Sequence, residues 1–125
     1  MENYIQEKTV KTPLIKAEKT GAICIEGICI SENVFEDLGG LVKWVDAYIE
    51  MPADQTTVDV RLDYYNTSAS AVLRDIFKTL HTLKSKGKNV VVNWYYDEED
   101  VDNEESGYHY ASIVDVEFNV IPYTK

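Results

Sequence analysis

The stretch TTVDVRLDYYNTSASAVLRDIFKTLHTLKSKGKNVVVNWYY, Thr56 to Tyr96, constrains the fold of this chain more than any other. Its first part alternates, which puts Val58, Val60, Leu62 and Tyr64 on one side of a strand and Asp59, Arg61, Asp63 and Tyr65 on the other. The apolar period then lengthens to that of a helix. Val72, Leu73, Ile76, Phe77, Leu80 and Leu83 share one stripe, lysines gather towards its end, and Gly87 supplies a stop signal. NVVVNWYY follows as a nearly unbroken apolar run of strand length, the pattern of a central strand covered on both faces. Strand, helix and strand in such close succession imply a right-handed crossover and parallel pairing.

The flanking segments extend this unit. TPLIKAEKTGAICIEGICI reads as a hairpin turning near Gly21. SENVFEDLGGLVKWVDAYIEMP spaces Val34, Leu38, Leu41, Val42, Val45 and Ile49 as a helix, with Ser31 or Asn33 as N-cap and Pro52 as a stop. Gly39 and Gly40 weaken that helix by roughly 1 kcal/mol each against alanine, so they mark a bend or a close contact. After an acidic segment, YHYASIVDVEFNVIPY supplies a short turn or helix and a last strand. The expected fold is a small α/β sandwich, a mixed sheet of about five strands with helices packed on it, formed by residues 1–125 as one domain.

Charge narrows the function. Twenty-two acids against twelve bases give a net charge of -10, a field that repels nucleic-acid backbones and anionic membrane surfaces. Cys24 and Cys29 alternate with isoleucines and form no metal framework, which reads as small core hydrophobes in a reducing cytosol. No apolar run approaches the ~20 residues of a membrane span, and the amino-terminal residues carry no signal-peptide pattern. A cytoplasmic protein is expected.

Two segments invite a functional reading. Asn66, Thr67, Ser68 and Ser70 lie where a strand ends and a helix begins, the place in open α/β sheets where free N–H groups and the helix dipole favour an anion. A helix cap, a nucleophile and a phosphorylation site are the three readings of such a turn. Nucleophilic catalysis needs a base, and of the two histidines His81 lies at least ~20 Å along the same helix while His109 lies far off in sequence. No hydrolase, P-loop or dinucleotide motif is present. The second segment, residues 97–106, holds seven acids and no base. It does not fit an EF-hand loop; a solvated loop or helix start, a loose Mg²⁺ site, or a docking face in which exposed Tyr95, Tyr96 and Tyr108 add aromatic anchors are its readings.

The YYNTS junction and the run WYYDEED that ends a strand resemble the SiaC-like bacterial regulatory phosphoproteins, and the likeness extends over roughly residues 10 to 122. The resemblance implies a fold similar to STAS and anti-sigma-factor-antagonist domains, with a phosphorylatable hydroxyl at the start of the central helix. It implies partner switching: a cognate Ser/Thr kinase adds the phosphate, a PP2C-like phosphatase removes it, and the unmodified form binds a downstream target, in some members a diguanylate cyclase. Carried onto this chain, the acceptor is Thr67, with Ser68 the nearest substitute. The partner-reading residues are then Tyr65, Asn66 and Ser70 at the turn, with Tyr95, Tyr96, Asp97, Glu98 and Asp100 beside it. No catalytic residue, metal or cofactor is expected on this reading. The competing readings are a small divalent-metal enzyme built on Asp97, Asp100 and Asp102, and a plain adaptor whose turn is only a cap.

Overall fold

The computed structural model of the chain describes residues 1–124, with the side chains of Val34 and Glu36 outside the described set. The strands are β1 (Tyr4–Gln6), β2 (Leu14–Ala17), β3 (Ala22–Cys29), β4 (Gln55–Tyr65), β5 (Asn89–Asp97) and β6 (Glu117–Tyr123). The helices are α1 (Val34–Tyr48), α2 (Thr67–His81), which runs on into a 3-10 turn over Thr82–Lys86, and α3 (Val101–Ile113). One mixed sheet takes the strands in chain order, β1 to β6. The pairs β1–β2 and β2–β3 are antiparallel, and β3–β4, β4–β5 and β5–β6 are parallel.

The expected hairpin is β2–β3. It turns at Gly21, whose φ of +108° is open to glycine and strained for other residues. The expected crossover is β4–α2–β5, in register from Gln55 with Asn89 to Val60 with Trp94. Two elements go beyond the expectation. The sheet gains β1, a three-residue strand whose formation depends on distant partners: Trp44 Nε1 donates to the Glu2 carbonyl at 2.9 Å, and Gln6 Nε2 donates to the Asp37 carbonyl at 2.9 Å. Residues 101–106 of the acidic segment also take the helix-start reading and extend it into a full helix, α3.

The helices cover one face of the sheet. Ile15 and Ala17, Ile23 and Ile25, Val58 and Val60, and Val92 and Trp94 lie in register across four strands, and all are buried. Leu38, Leu41, Trp44, Val45 and Tyr48 of α1 and Leu73, Ile76, Phe77 and Leu80 of α2 close over them. The face that carries Asp59, Asn93, Tyr95 and Asn119 is only partly covered. The expectation of a β5 strand buried on both faces is therefore corrected: its alternate residues Val91, Asn93 and Tyr95 are half-exposed. Asn93 donates to Asp59 and accepts from Asn119 across three strands, which satisfies polar groups on that side.

A second correction concerns β4. Its register against β3 shifts after Leu62, so Gly27 faces Leu62 while Ile28 faces Tyr64 and Cys29 faces Tyr65. The extra residue, Asp63, is a β-bulge, and it exchanges the faces of the residues that follow. Tyr65 thus turns to the helix side and packs edge-on against Trp94 at 5.7 Å, whereas Tyr64, expected beside Leu62 in the core, is 67% exposed.

Candidate functional site

Because β3, β4 and β5 are parallel and each leads into a helix, the starts of α1, α2 and α3 all lie along the same edge of the sheet. Asn33, Asn66 and Asp100 cap them by accepting from the N–H groups of Phe35, Ala69 and Asn103. The edge thus gathers three dipole-positive helix ends, with the hydroxyl-rich turn in the middle.

Asn66 does more than cap. Its backbone N–H donates to the Cys29 carbonyl at 3.1 Å, and its side-chain Nδ2 donates to the Ser31 carbonyl at 3.0 Å. One residue so ties the end of β3, the turn before α1 and the first turn of α2. With the cap assigned to Asn66, Thr67 and Ser68 occupy the first two helical positions. Both are exposed, and among the described residues neither hydroxyl makes a hydrogen bond. The first turn of α2 contains no acid, so nothing on the helix itself opposes an anion there.

Ser70, one turn further on, is engaged. Its hydroxyl lies 2.6 Å from Tyr110 Oη, which also donates to the Ser70 carbonyl at 3.1 Å. Burial pushes the Tyr110 phenol above its usual value, so the hydroxyl stays protonated and can donate. Tyr110 in turn packs on Phe77 and Trp94, with ring centroids 5.3 and 5.1 Å away. Trp94 Nε1 donates to Asn103 Oδ1 at 3.1 Å, and Asn103 Nδ2 donates to the Leu62 carbonyl at 3.2 Å. This path connects the start of α2 to the start of α3.

The acidic segment divides by position. Asp100 caps α3, Asp97 accepts from the Glu99 N–H at 3.0 Å, and the Glu98 side chain is exposed. Asp63, Tyr64, Asp97, Asp100, Val101 and Asp102 line a groove of about 530 Å³ at the ends of β4 and β5. Among the described residues no group of three or more His, Cys, Asp or Glu side chains is arranged to hold a metal ion. The tyrosines differ from the expected exposed trio. Tyr108 is 58% exposed and Tyr95 is half-exposed on the open sheet face, but Tyr96 is buried and donates to Glu104 at 2.6 Å, a bond that pushes its phenol up to about 12. The aromatic that stands free beside the turn is Tyr64, which strand alternation assigned to the core.

His81 ends α2 and His109 is exposed on α3; no bond joins either to the turn among the described residues. The edge therefore presents two free hydroxyls on an anion-tolerant helix start, an acidic groove and an exposed aromatic. These are the parts of an α/β domain suited to carry a reversible charge and to be read by another protein. The chain belongs to the SiaC family of regulatory phosphoproteins, whose profile matches residues 5–123. It is similar to apo-SiaC from Pseudomonas aeruginosa, at 25% identity and a TM-score of 0.89 over 97% of this chain and 99% of that one. It has the fold of the SiaC found in complex with the diguanylate cyclase SiaD, which SiaC activates, in the same organism; there the identity is 24% and the TM-score 0.89 over 96% of this chain and 99% of that one. An uncharacterised protein of P. aeruginosa strain UCBPP-PA14 is 30% identical over 90 residues, 71% of each chain. Among the described residues no helix is long and apolar enough to cross a membrane.

Proposed function

We infer that this chain is a non-enzymatic switch in a partner-switching system, with Thr67 as the phosphoacceptor and Ser68 as the alternative. The observation that carries the reading is the division of labour at the turn. Asn66 does all the capping, which leaves the hydroxyl beside it exposed, without a fold-holding role, and at the positive end of a helix. Membership of a regulatory phosphoprotein family supports it. A cognate kinase adds the phosphate, a PP2C-like phosphatase removes it, and the unmodified form binds its target. The SiaC–SiaD complex of P. aeruginosa supports a diguanylate cyclase as the class of target.

Phosphate adds about -1.5 to -2 charge and three acceptor oxygens at pH 7. The helix end tolerates that charge at little folding cost, while the partner, docked along the same edge, meets a new anion. Tyr64 and the acidic groove of Asp97 and Asp100 supply an anchor and a steering field on one side of the turn. A coupling of about 1–3 kcal/mol changes affinity roughly 5- to 150-fold, which is sufficient for a switch. The test is the affinity of Thr67→Ala and Thr67→Glu for a diguanylate cyclase target: Thr67→Ala binds as the unmodified chain does and Thr67→Glu binds at least about fivefold more weakly. Equal affinities would remove the switch.

A further inference from the structure

The buried phenol of Tyr110 has one proton and two oxygens of the same residue beside it. It donates that proton to the Ser70 carbonyl at 3.1 Å, so in the 2.6 Å contact between the two hydroxyls Ser70 is the donor. Among the described residues no other group donates to the Tyr110 oxygen. Tyr110 is also the side chain by which α3 reaches α2, through these bonds and its ring contact with Phe77. The Ser70 proton thus joins the first turn of one helix to the last turn of the other.

Thr67 and Ser70 are three residues apart on α2, which sets their Cβ atoms about 5–6 Å from one another on the same face. A phosphate on Thr67 brings three acceptor oxygens within reach of the Ser70 hydroxyl. A charged acceptor forms a bond roughly twice as strong as a neutral one, and Ser70 has a single proton to give. Arg74, one turn beyond Ser70 on the same stripe, draws an anion in that direction; its contact with Asp75 is long, 3.9 Å between exposed side chains. Ser68 has no such route, since its neighbours at i+3 and i+4 are Ala71 and Val72. The proton has two discrete arrangements, one of which the phosphate favours.

We propose that phosphate on Thr67 takes the Ser70 hydroxyl from Tyr110 and thereby loosens α3, so that the acidic helix reports the state of the turn. The proposal deepens the switch reading and rests on it for the presence of the phosphate. With Asn103, Gly107 and Tyr110 as its buried residues, α3 has little apolar area to offset a lost bond. Asp102, Glu104 and Glu105 ride on that helix, so a partner that reads the acidic face senses a phosphate it does not touch. Phosphate on Ser68 adds the same charge to the turn and leaves α3 in place, which makes the two hydroxyls unequal as acceptors.

The test installs the phosphate in the full chain by codon reassignment, as Thr67→phosphoserine and separately as Ser68→phosphoserine, and follows amide hydrogen exchange by mass spectrometry. Exchange over residues 101–113 is expected to quicken about three- to tenfold with the first and to stay unchanged with the second, while the body of α2 keeps its protection in both. Ser70→Ala without phosphate is expected to quicken α3 by a similar factor, and phosphate at position 67 then adds nothing further. Ser70→Thr keeps the donor and restores the response. If Ser70 merely steadies the fold, the effects of Ser70→Ala and phosphate add instead. Unchanged exchange in α3 with phosphate at position 67, equal quickening from the two positions, or additive effects would each overturn the proposal. The measurement holds whether or not cells modify the turn. Equal target affinity of Thr67→Ala and Thr67→Glu removes the switch and leaves an α3 response standing; unequal affinity with a silent α3 keeps the switch and removes the transmission.

Discussion

The helices α2 and α3 begin alike and are held differently. Each starts at the same edge of the sheet, each has a side-chain cap, and each begins at one of the two segments proposed to carry the function. Beneath α2 lie Ala69, Leu73, Ile76, Phe77 and Leu80, all buried and all apolar. Beneath α3 lie Asn103, Gly107 and Tyr110. The first helix is fixed by burial, which is insensitive to small changes of angle. The second is fixed by an amide bonded to Leu62 and Trp94, by a glycine against the Trp94 ring, and by a phenol bonded to Ser70. The proposed switch, which needs its hydroxyl at a constant position, suits the first design. A helix that carries the acidic face and answers to its neighbours suits the second.

The comparison predicts a ranked set of effects. The largest belongs to the apolar interface: Phe77→Ala should cost about 3–5 kcal/mol and lower the single unfolding transition, measured by denaturant titration. Retention of full stability would mean that α2 is not the platform described. Gly107→Ala comes next. Its Cβ would lie 2.6 Å from Trp94 Cδ1, so α3 must lift, at about 1–3 kcal/mol. Hydrogen exchange should then quicken along α3 while α2 keeps its protection; equal quickening in both helices would break the distinction between them. At the turn, Asn66→Ala should cost about 1 kcal/mol through the lost cap, whereas Thr67→Ala should change stability by no more than about 0.5 kcal/mol. A Thr67→Ala loss as large as that of Asn66→Ala would return Thr67 to a structural role.

The smallest effect is a matter of pH. The Tyr96 phenol is held up at about 12 by its bond to Glu104, so its contribution is complete below the ordinary phenol value near 10 and is lost as pH rises through about 12. Ultraviolet titration of Glu104→Gln should show one tyrosine midpoint moving down towards the ordinary value. An unchanged titration would detach Tyr96 from α3.

The same contrast explains what could be read from the sequence. The period of α2 and the 3-10 turn after it is carried by six apolar side chains, and β3, β4 and β5 by β-branched residues, so the hairpin, the crossover and the position of the hydroxyl turn were all legible. In α3 the inward stripe contains a glycine, an amide and one tyrosine, which no hydropathy pattern distinguishes from a loop. β1 is held by partners far along the chain: the Asp37 carbonyl accepts from Gln6, and Trp44 donates to Glu2 just before the strand. The exchange of Tyr64 and Tyr65 depends on the bulge at Asp63, and a period of two cannot show where it slips. The partly covered face of β5 was hidden because Val91 and Tyr95 continue the apolar run of the residues that face the core. At the site, the place of the hydroxyl turn was legible because it follows from topology, and the roles of Asn66 and Ser70 within it were not, because they depend on Ser31, Cys29 and Tyr110.

The most direct measurement is phosphate mapping by mass spectrometry on the chain purified from its native cells across several growth conditions. Phosphate on Thr67, present in some conditions and absent in others, is the predicted result. A segment from Asn66 to Ser70 that is unmodified in every condition would contradict the switch.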